Sequence, residues 1–181
     1  QKPDSLPWVG DHPVDRVSEP EMITIRNGAP ADEFFLKEMT YQAIYSPKGG
    51  GFLPRKILEE PAIRRYYADF GREGDVAFIA LSDDKAVGAV WVRLATTAQK
   101  GYGFVRSDVP ELAIAVLPAF RGRGIGTALL EQMLTHLHAT GLEAVSLSVS
   151  RSNPARKLYE RHGFSLVKNQ KNSCTMLIEL T

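Results

Sequence analysis

The chain has 181 residues, 44% of them hydrophobic, which suits one domain built around a sizeable core. Its 22 basic and 21 acidic side chains leave a formal charge of +1, a balance that argues against a nucleic-acid surface or an anionic membrane as the main partner. The single cysteine, Cys174, excludes an internal disulfide framework and fits a reducing compartment. No apolar run reaches the roughly 18 residues that span a bilayer, and no signal-peptide-like apolar stretch opens the chain, so a soluble, cytoplasmic protein is the expectation.

In chain order, residues 1–20 are rich in proline and lack periodicity, which predicts an extended arm, and one domain is expected over residues 21–181. Ile23 to Arg26 reads as a short strand. Helical segments are predicted from about Ala31 to Tyr45 and from about Pro54 to Phe70, separated by Ser46-Pro47-Lys48-Gly49-Gly50-Gly51, which is incompatible with regular structure. Val76 to Leu81 and Ala86 to Leu94 are β-rich runs, and the polar turn Ser82-Asp83-Asp84-Lys85 between them predicts a hairpin. Ala95 to Val109 is loop-like; Gly101-Tyr102-Gly103-Phe104 in its middle either packs as a plug or lines a pocket. The strand Glu111 to Val116 follows, with Leu112, Ile114 and Val116 on one face and Glu111, Ala113 and Ala115 on the other.

Arg121-Gly122-Arg123-Gly124-Ile125-Gly126-Thr127 joins that strand to an amphipathic helix. A glycine-rich strand-to-helix turn lets backbone approach a ligand closely, and the free N–H groups of the first helical turn favour an anion there. Thr127 stands where a dinucleotide fingerprint needs its last glycine, and no Gly-Lys-Ser/Thr triplet completes a Walker-type loop. In the helix, Leu130, Met133, Leu134 and Leu137 form the buried stripe. His136 and His138 sit among polar residues at a spacing that does not bring them together, so no metal site is expected. Gly141 ends the helix, Ala144 to Ser150 is a strand, Asn153 caps a short helix stopped by Gly163, and Cys174 lies in a last strand as a packed thiol.

The loop has a second meaning as a motif. Arg121, Gly124 and Gly126 resemble the Arg/Gln-x-x-Gly-x-Gly/Ala core of the acyl-CoA-binding motif of the GNAT-type N-acetyltransferases. About thirty residues on, the run Asn153 to Phe164 resembles the same superfamily's C-terminal motif, Asn-x-x-Ala-x-x-Leu-Tyr-x-x-x-Gly-Phe, on Asn153, Ala155, Leu158-Tyr159 and Gly163-Phe164. The resemblance covers roughly residues 21 to 181. It implies an α/β fold with a mixed sheet of six or seven strands flanked by about four helices, in which the strand ending at Val116 and the strand Ala144 to Ser150 splay apart around pantetheine.

The same resemblance implies acetyl-CoA as co-substrate, no metal, and direct acetyl transfer to a primary amine on a small molecule or peptide; dimerisation is common in the superfamily. Backbone from Ile114 through Ala115 to Val116 would meet pantetheine. N–H groups of Gly122, Arg123, Gly124, Ile125, Gly126 and Thr127 would cradle the pyrophosphate, with Arg121 and Arg123 reaching the phosphates or pointing to water. Asn153 would hold pantetheine or order the splayed strand. A lysine-like ammonium has a pKa near 10.4, so the neutral amine costs about 4 to 5 kcal/mol at pH 7 and a general base is required. Glu111 resembles the position of that base, acting directly or through a water; its other reading is a solvated strand-end carboxylate. Tyr159 matches the general acid that protonates departing CoA thiolate; its other reading is packing at a helix–sheet seam. Two further readings remain open, an acyl-CoA sensor without turnover and transfer of a longer acyl group, which Ala113 and Ala115 would not forbid. The acceptor would be set by the segment from Tyr41 to Phe52, the second helix and the loop from Ala95 to Val109. Tyr41, Tyr45, Phe52, Tyr102 and Phe104 suit an apolar or cationic amine, while Arg55, Lys56 and Arg106 suit an acidic one.

Overall fold

The computed structural model describes residues 21–44, 53–96 and 98–181. The predicted arm, the glycine-rich segment, Tyr45 and Phe52 lie outside these residues. Strands β1 (Ile23–Asn27), β2 (Val76–Ser82), β3 (Lys85–Arg93), β4 (Glu111–Val116), β5 (Ala144–Ser150), β6 (Ser165–Asn169) and β7 (Ser173–Glu179) form one sheet in the order β1-β2-β3-β4-β5-β7-β6. Every neighbouring pair is antiparallel except β4 and β5. Among the described residues the helices are α1 (Glu33–Ala43), α2 (Pro61–Arg64), α3 (Ile125–Thr140) and α4 (Ala155–Arg161). This is the mixed sheet and helix count the sequence implied.

Two apolar clusters sandwich the sheet. On one face Leu112 joins Val90, Val92, Val145 and Leu147 of the neighbouring strands against the α3 stripe Leu129, Leu130, Met133, Leu134 and Leu137, with Tyr159 and Phe164 at its end. On the other, Ala77, Ile79, Ala89, Trp91 and Ala115 pack against Leu36 and Met39 of α1 and Leu58, Ile63 and Tyr67. The strand alternation expected for β4 therefore holds, because its odd and even residues enter different cores. The β2–β3 hairpin also forms as expected. Asp83 (φ 45°) and Asp84 (φ 65°) take the two left-handed positions of a tight turn, a conformation Asp tolerates better than most residues. His136 departs from the solvated face assigned to it, since it is half-buried with its ring 5.6 Å from Phe78, edge to face.

The continuous helix expected from Pro54 to Phe70 is not present. Arg55–Glu59 is a 3-10 turn, Glu60 is extended (φ −65°, ψ 133°), and only Pro61–Arg64 is α-helical. Pro61 is the local cause, since the residue before a proline is driven out of the helical region. The tertiary cause is Arg93. Its buried guanidinium donates to the carbonyls of Arg65, Ala68 and Asp69 while pairing with Asp75, and Trp91 Nε1 donates to the carbonyl of Tyr66. Carbonyls that a longer helix would use internally are instead turned toward β3.

Candidate active site at the β4–β5 opening

The two parallel strands meet at a single rung, Glu111 opposite Ser146, and diverge beyond it. Ser146 N–H donates to Pro110 C=O at 3.0 Å, so the main chain of Pro110 faces β5, whereas Leu117 N–H donates to Val87 C=O of β3 at 2.8 Å. Main-chain groups alternate sides along a strand. Ile114 and Val116 therefore present their N–H and C=O groups to the opening, and Ala115 turns its own to β3. The carbonyl of Val116 is taken by Arg121 Nε at 2.9 Å.

At the wide end of the opening lies the N-terminus of α3. Gly122 (φ 75°) and Gly124 (φ 80°) are left-handed, and a Cβ built on either meets nothing within 4 Å. Among the described residues no side chain caps the helix, and the N–H groups of Ile125, Gly126 and Thr127 have no hydrogen-bond partner, the arrangement an anion requires. The two arginines, by contrast, have protein partners. Arg121 bridges Val116 and Gln42, and Arg123 donates to the Ala119 carbonyl and pairs with Glu21. Positive charge in this cradle comes chiefly from the helix dipole and backbone.

Glu111 is not a solvated strand-end carboxylate. It is 6% exposed, and its Oε1 accepts from Tyr66 Oη at 2.6 Å and from Gly103 N–H at 2.9 Å. Arg65 Nη1 stands 3.6 Å from Oε2. Burial pushes its carboxyl above the ordinary value, and the Tyr66 hydroxyl, the Gly103 N–H and Arg65 pull it partway back. Glu111 Oε2 and Arg65 Nε are buried without hydrogen-bond partners among the described residues. Both residues line a cavity of about 10 Å³ together with Tyr66, Trp91 and Arg93, room for one water.

The segment Gly101-Tyr102-Gly103-Phe104 packs as the plug. Besides the Gly103 bond to Glu111, Ser146 Oγ donates to Gly103 C=O at 2.7 Å and Tyr102 N–H donates to Tyr66 Oη at 2.9 Å. Its glycines are required by proximity: a Cβ on Gly101 would fall 1.9 Å from Glu111 Oε2, and one on Gly103 would fall 2.7 Å from the backbone of Leu147 and Ser148.

Tyr159 is 7% exposed and packs edge to face on Phe164 at 5.9 Å. Its hydroxyl has no hydrogen-bond partner among the described residues, and burial pushes its pKa up to about 12, so it stays protonated at neutral pH. Asn153 Oδ1 accepts from Ala155 N–H at 2.9 Å, which spends that oxygen on the start of α4. Ser152, not Asn153, stands three residues before Ala155, the spacing of Asn to Ala in the family motif. Cys174 is fully buried, its thiol directed to the Val149 carbonyl, away from the opening.

Of the residues proposed to select an acceptor, Tyr41 Oη donates to Leu53 C=O, and Arg55 lies over the Tyr41 ring and pairs with Glu38. Arg106 pairs with Asp108 and Glu143. Tyr102 is 49% exposed, and Lys100 lies over Phe104. Sequence reasoning missed Arg65, Tyr66, Arg93 and Asp75, whose meeting with β4 depends on the turn that replaces the second helix. Among the described residues, no His, Cys, Asp and Glu side chains gather as metal ligands, and no helix is long and apolar enough to cross a membrane.

An opened parallel strand pair thus lies beside a glycine-led helix N-terminus, and residues 40–164, which include both, match the family model described as Acetyltransferase (GNAT) family. The chain belongs to that family. It is 42% identical over 59 residues, a third of its length, to the [ribosomal protein bS18]-alanine N-acetyltransferase of Haemophilus influenzae, of which the match covers 40%. It is 30% identical over 168 residues, 90% of its length, to the mycothiol acetyltransferase of Propionibacterium freudenreichii, of which it covers 49%. The chain thus spans about half the length of the curated relatives it matches. Its fold resembles the PaiA N-acetyltransferase from Thermoplasma acidophilum in complex with coenzyme A, with a TM-score of 0.60 and 18% identity over 87% of this chain and 99% of that one. The ribosomal-protein-S18-alanine N-acetyltransferase from Escherichia coli gives a TM-score of 0.61 and 21% identity over 88% and 95%.

Proposed function

We propose that the protein is a cytoplasmic, acetyl-CoA-dependent N-acetyltransferase that moves an acetyl group directly to a primary amine. The observation that carries this reading is the continuity between the free edge of β4, open at Ile114 and Val116, and the bare N–H groups of Ile125, Gly126 and Thr127 at the start of α3. A strand edge suits the amides of pantetheine, and a helix N-terminus suits a pyrophosphate. The side-chain-free space over Gly122 and Gly124 fits the group that would pass there. Acetyl-CoA supplies the activated thioester.

The chain's own residues then supply positioning and proton transfer. Glu111, made more basic by burial, takes a proton from the acceptor ammonium. The neutral amine attacks the thioester carbonyl; the C–N bond forms, the C–S bond breaks, the Tyr159 hydroxyl gives its proton to the leaving sulfur, and the surplus proton on the new amide nitrogen returns through water to the Tyr159 phenolate. Cys174 is fully buried with its thiol directed to the Val149 carbonyl, which favours direct transfer over a cysteine-bound acyl-enzyme. The relative named as an N-acetyltransferase of a ribosomal-protein alanine supports an amine acceptor as a class. The small side chains Ala113 and Ala115 belong to the core under α1 and lend nothing to a longer acyl chain.

The experiment is thiol release from acetyl-CoA with a panel of small-molecule and peptide amines. Acceptor-dependent release that falls about 100-fold or more in Tyr159→Phe supports the transferase. Binding of acetyl-CoA without release across the panel favours a sensor.

A further inference from the structure

Resting on the reading of Glu111 as base, one residue outside every motif stands where the plug and the carboxylate meet. Tyr66 lies in the turn that follows α2, 45 residues before Glu111 in sequence. Its hydroxyl donates to Glu111 Oε1 at 2.6 Å and accepts from Tyr102 N–H at 2.9 Å. Its carbonyl is held by Trp91 Nε1 at 2.8 Å, so its main chain is fixed from the β3 side. A phenylalanine would fill the same space, and only the two hydrogen bonds distinguish the residue present.

We propose that Tyr66 is a positioning residue for the reaction: its single hydroxyl holds the Glu111 carboxylate and the 101–104 segment in one register, so that the base is set when that segment is seated. Oε1 is fixed by Tyr66 and Gly103, which leaves Oε2, 3.6 Å from Arg65 Nη1 and without a hydrogen bond among the described residues, to take a proton through the water-sized cavity that Glu111 lines. The seated segment also covers that oxygen, because Gly101 approaches it too closely for any side chain. Displacing the segment breaks the Gly103 bond to Oε1 and the Tyr102 bond to Tyr66 together. The base and its cover are one hydrogen-bonded unit.

Among the described residues the charged and titratable groups around Glu111 are few. Arg65 and Tyr66 come from the turn after α2, and Arg93 comes from β3 with Asp75 neutralising it from behind. The 101–104 segment contributes backbone N–H, and β5 contributes Ser146, whose hydroxyl is directed to Gly103. Tyr66 donates to the charged form of the carboxylate, so its loss disfavours that form.

The test compares the native chain with Tyr66→Phe and with 3-fluorotyrosine at position 66, a better donor that leaves the packing intact. The Glu111 side chain is titrated by carbon NMR in the free protein, Tyr102 amide exchange is followed, and the pH profile of kcat/KM for thiol release is recorded. In Tyr66→Phe the Glu111 midpoint and the acid limb of the profile move up together by about one pH unit, and Tyr102 exchanges about tenfold faster. With fluorotyrosine the midpoint and limb move down. An unmoved midpoint and unchanged Tyr102 exchange in folded Tyr66→Phe overturn the proposal, as does a midpoint that moves without the limb. Failure of the underlying reading looks different: Glu111→Gln would keep full transfer and its acid limb, whatever the NMR titration of the native protein shows.

Discussion

Glu111 and Ser146 form the only rung joining β4 to β5, and the Ser146 hydroxyl closes over it to reach Gly103. The vertex of the opening, the buried carboxylate and the glycine plug therefore share one point in the fold. Changes at any of the three are expected to be felt by the others.

Gly103→Ala tests that crowding. The added methyl meets backbone atoms of Leu147 and Ser148 at 2.7 Å, which cannot rotate away as a side chain would. The variant is expected to lose about 1–3 kcal/mol in urea unfolding and to displace the segment from Glu111. Native stability with unchanged Tyr102 amide exchange would show that the segment does not sit as described.

Asp75 and Arg93 form an ion pair in which both side chains are at most 5% exposed. Removing one member leaves the other charge buried and uncompensated. Asp75→Ala is expected to cost about 3–5 kcal/mol, read as a lower urea midpoint at similar slope. A midpoint equal to that of the native chain contradicts the account of how the turn over residues 65–69 is held.

The raised pKa of Glu111 makes a prediction about stability. The folded chain binds this proton more tightly than the unfolded chain, whose value is 4.5. The stability contributed is therefore fully present below about pH 4.5 and is lost as pH rises through the folded value. Urea unfolding across this range should show native stability declining relative to Glu111→Gln. The opposite slope would mean that the hydrogen bonds from Tyr66 and Gly103 outweigh desolvation.

At the cradle, Gly124→Glu places a carboxylate where open space now adjoins bare N–H groups, in a left-handed conformation that costs a side chain about 1 kcal/mol. Calorimetric titration with CoA should show affinity reduced by 100-fold or more for the variant, with no rise in its melting temperature on adding CoA. Equal affinity would place the phosphates elsewhere.

Local signals made much of this structure legible. The β2–β3 hairpin, the α3 stripe, the glycine cradle and the two faces of β4 each follow from residues within a few positions of one another. The second helix was not legible, because Pro61 splits it locally and Arg93, from another element, captures its carbonyls. The environment of Glu111 was hidden for the same reason, since Tyr66 reaches it across 45 residues and Arg65 arrives on the same turn. Motif order drew attention to Asn153, yet spacing and the bond to Ala155 N–H assign that oxygen to the start of α4. The motif left Arg121 and Arg123 either to reach the phosphates or to point to water; the partners Val116 and Glu21 are ones only the folded chain brings near.

The measurement that tests the central claim most directly is a titration of the isotope-labelled protein with CoA, followed through backbone amide shifts. The account predicts that the largest changes fall at Ile114 and Val116 on β4 and at Gly124, Ile125, Gly126 and Thr127 at the start of α3, in one saturable event. Shifts confined to other surfaces, or none at millimolar CoA, would contradict it.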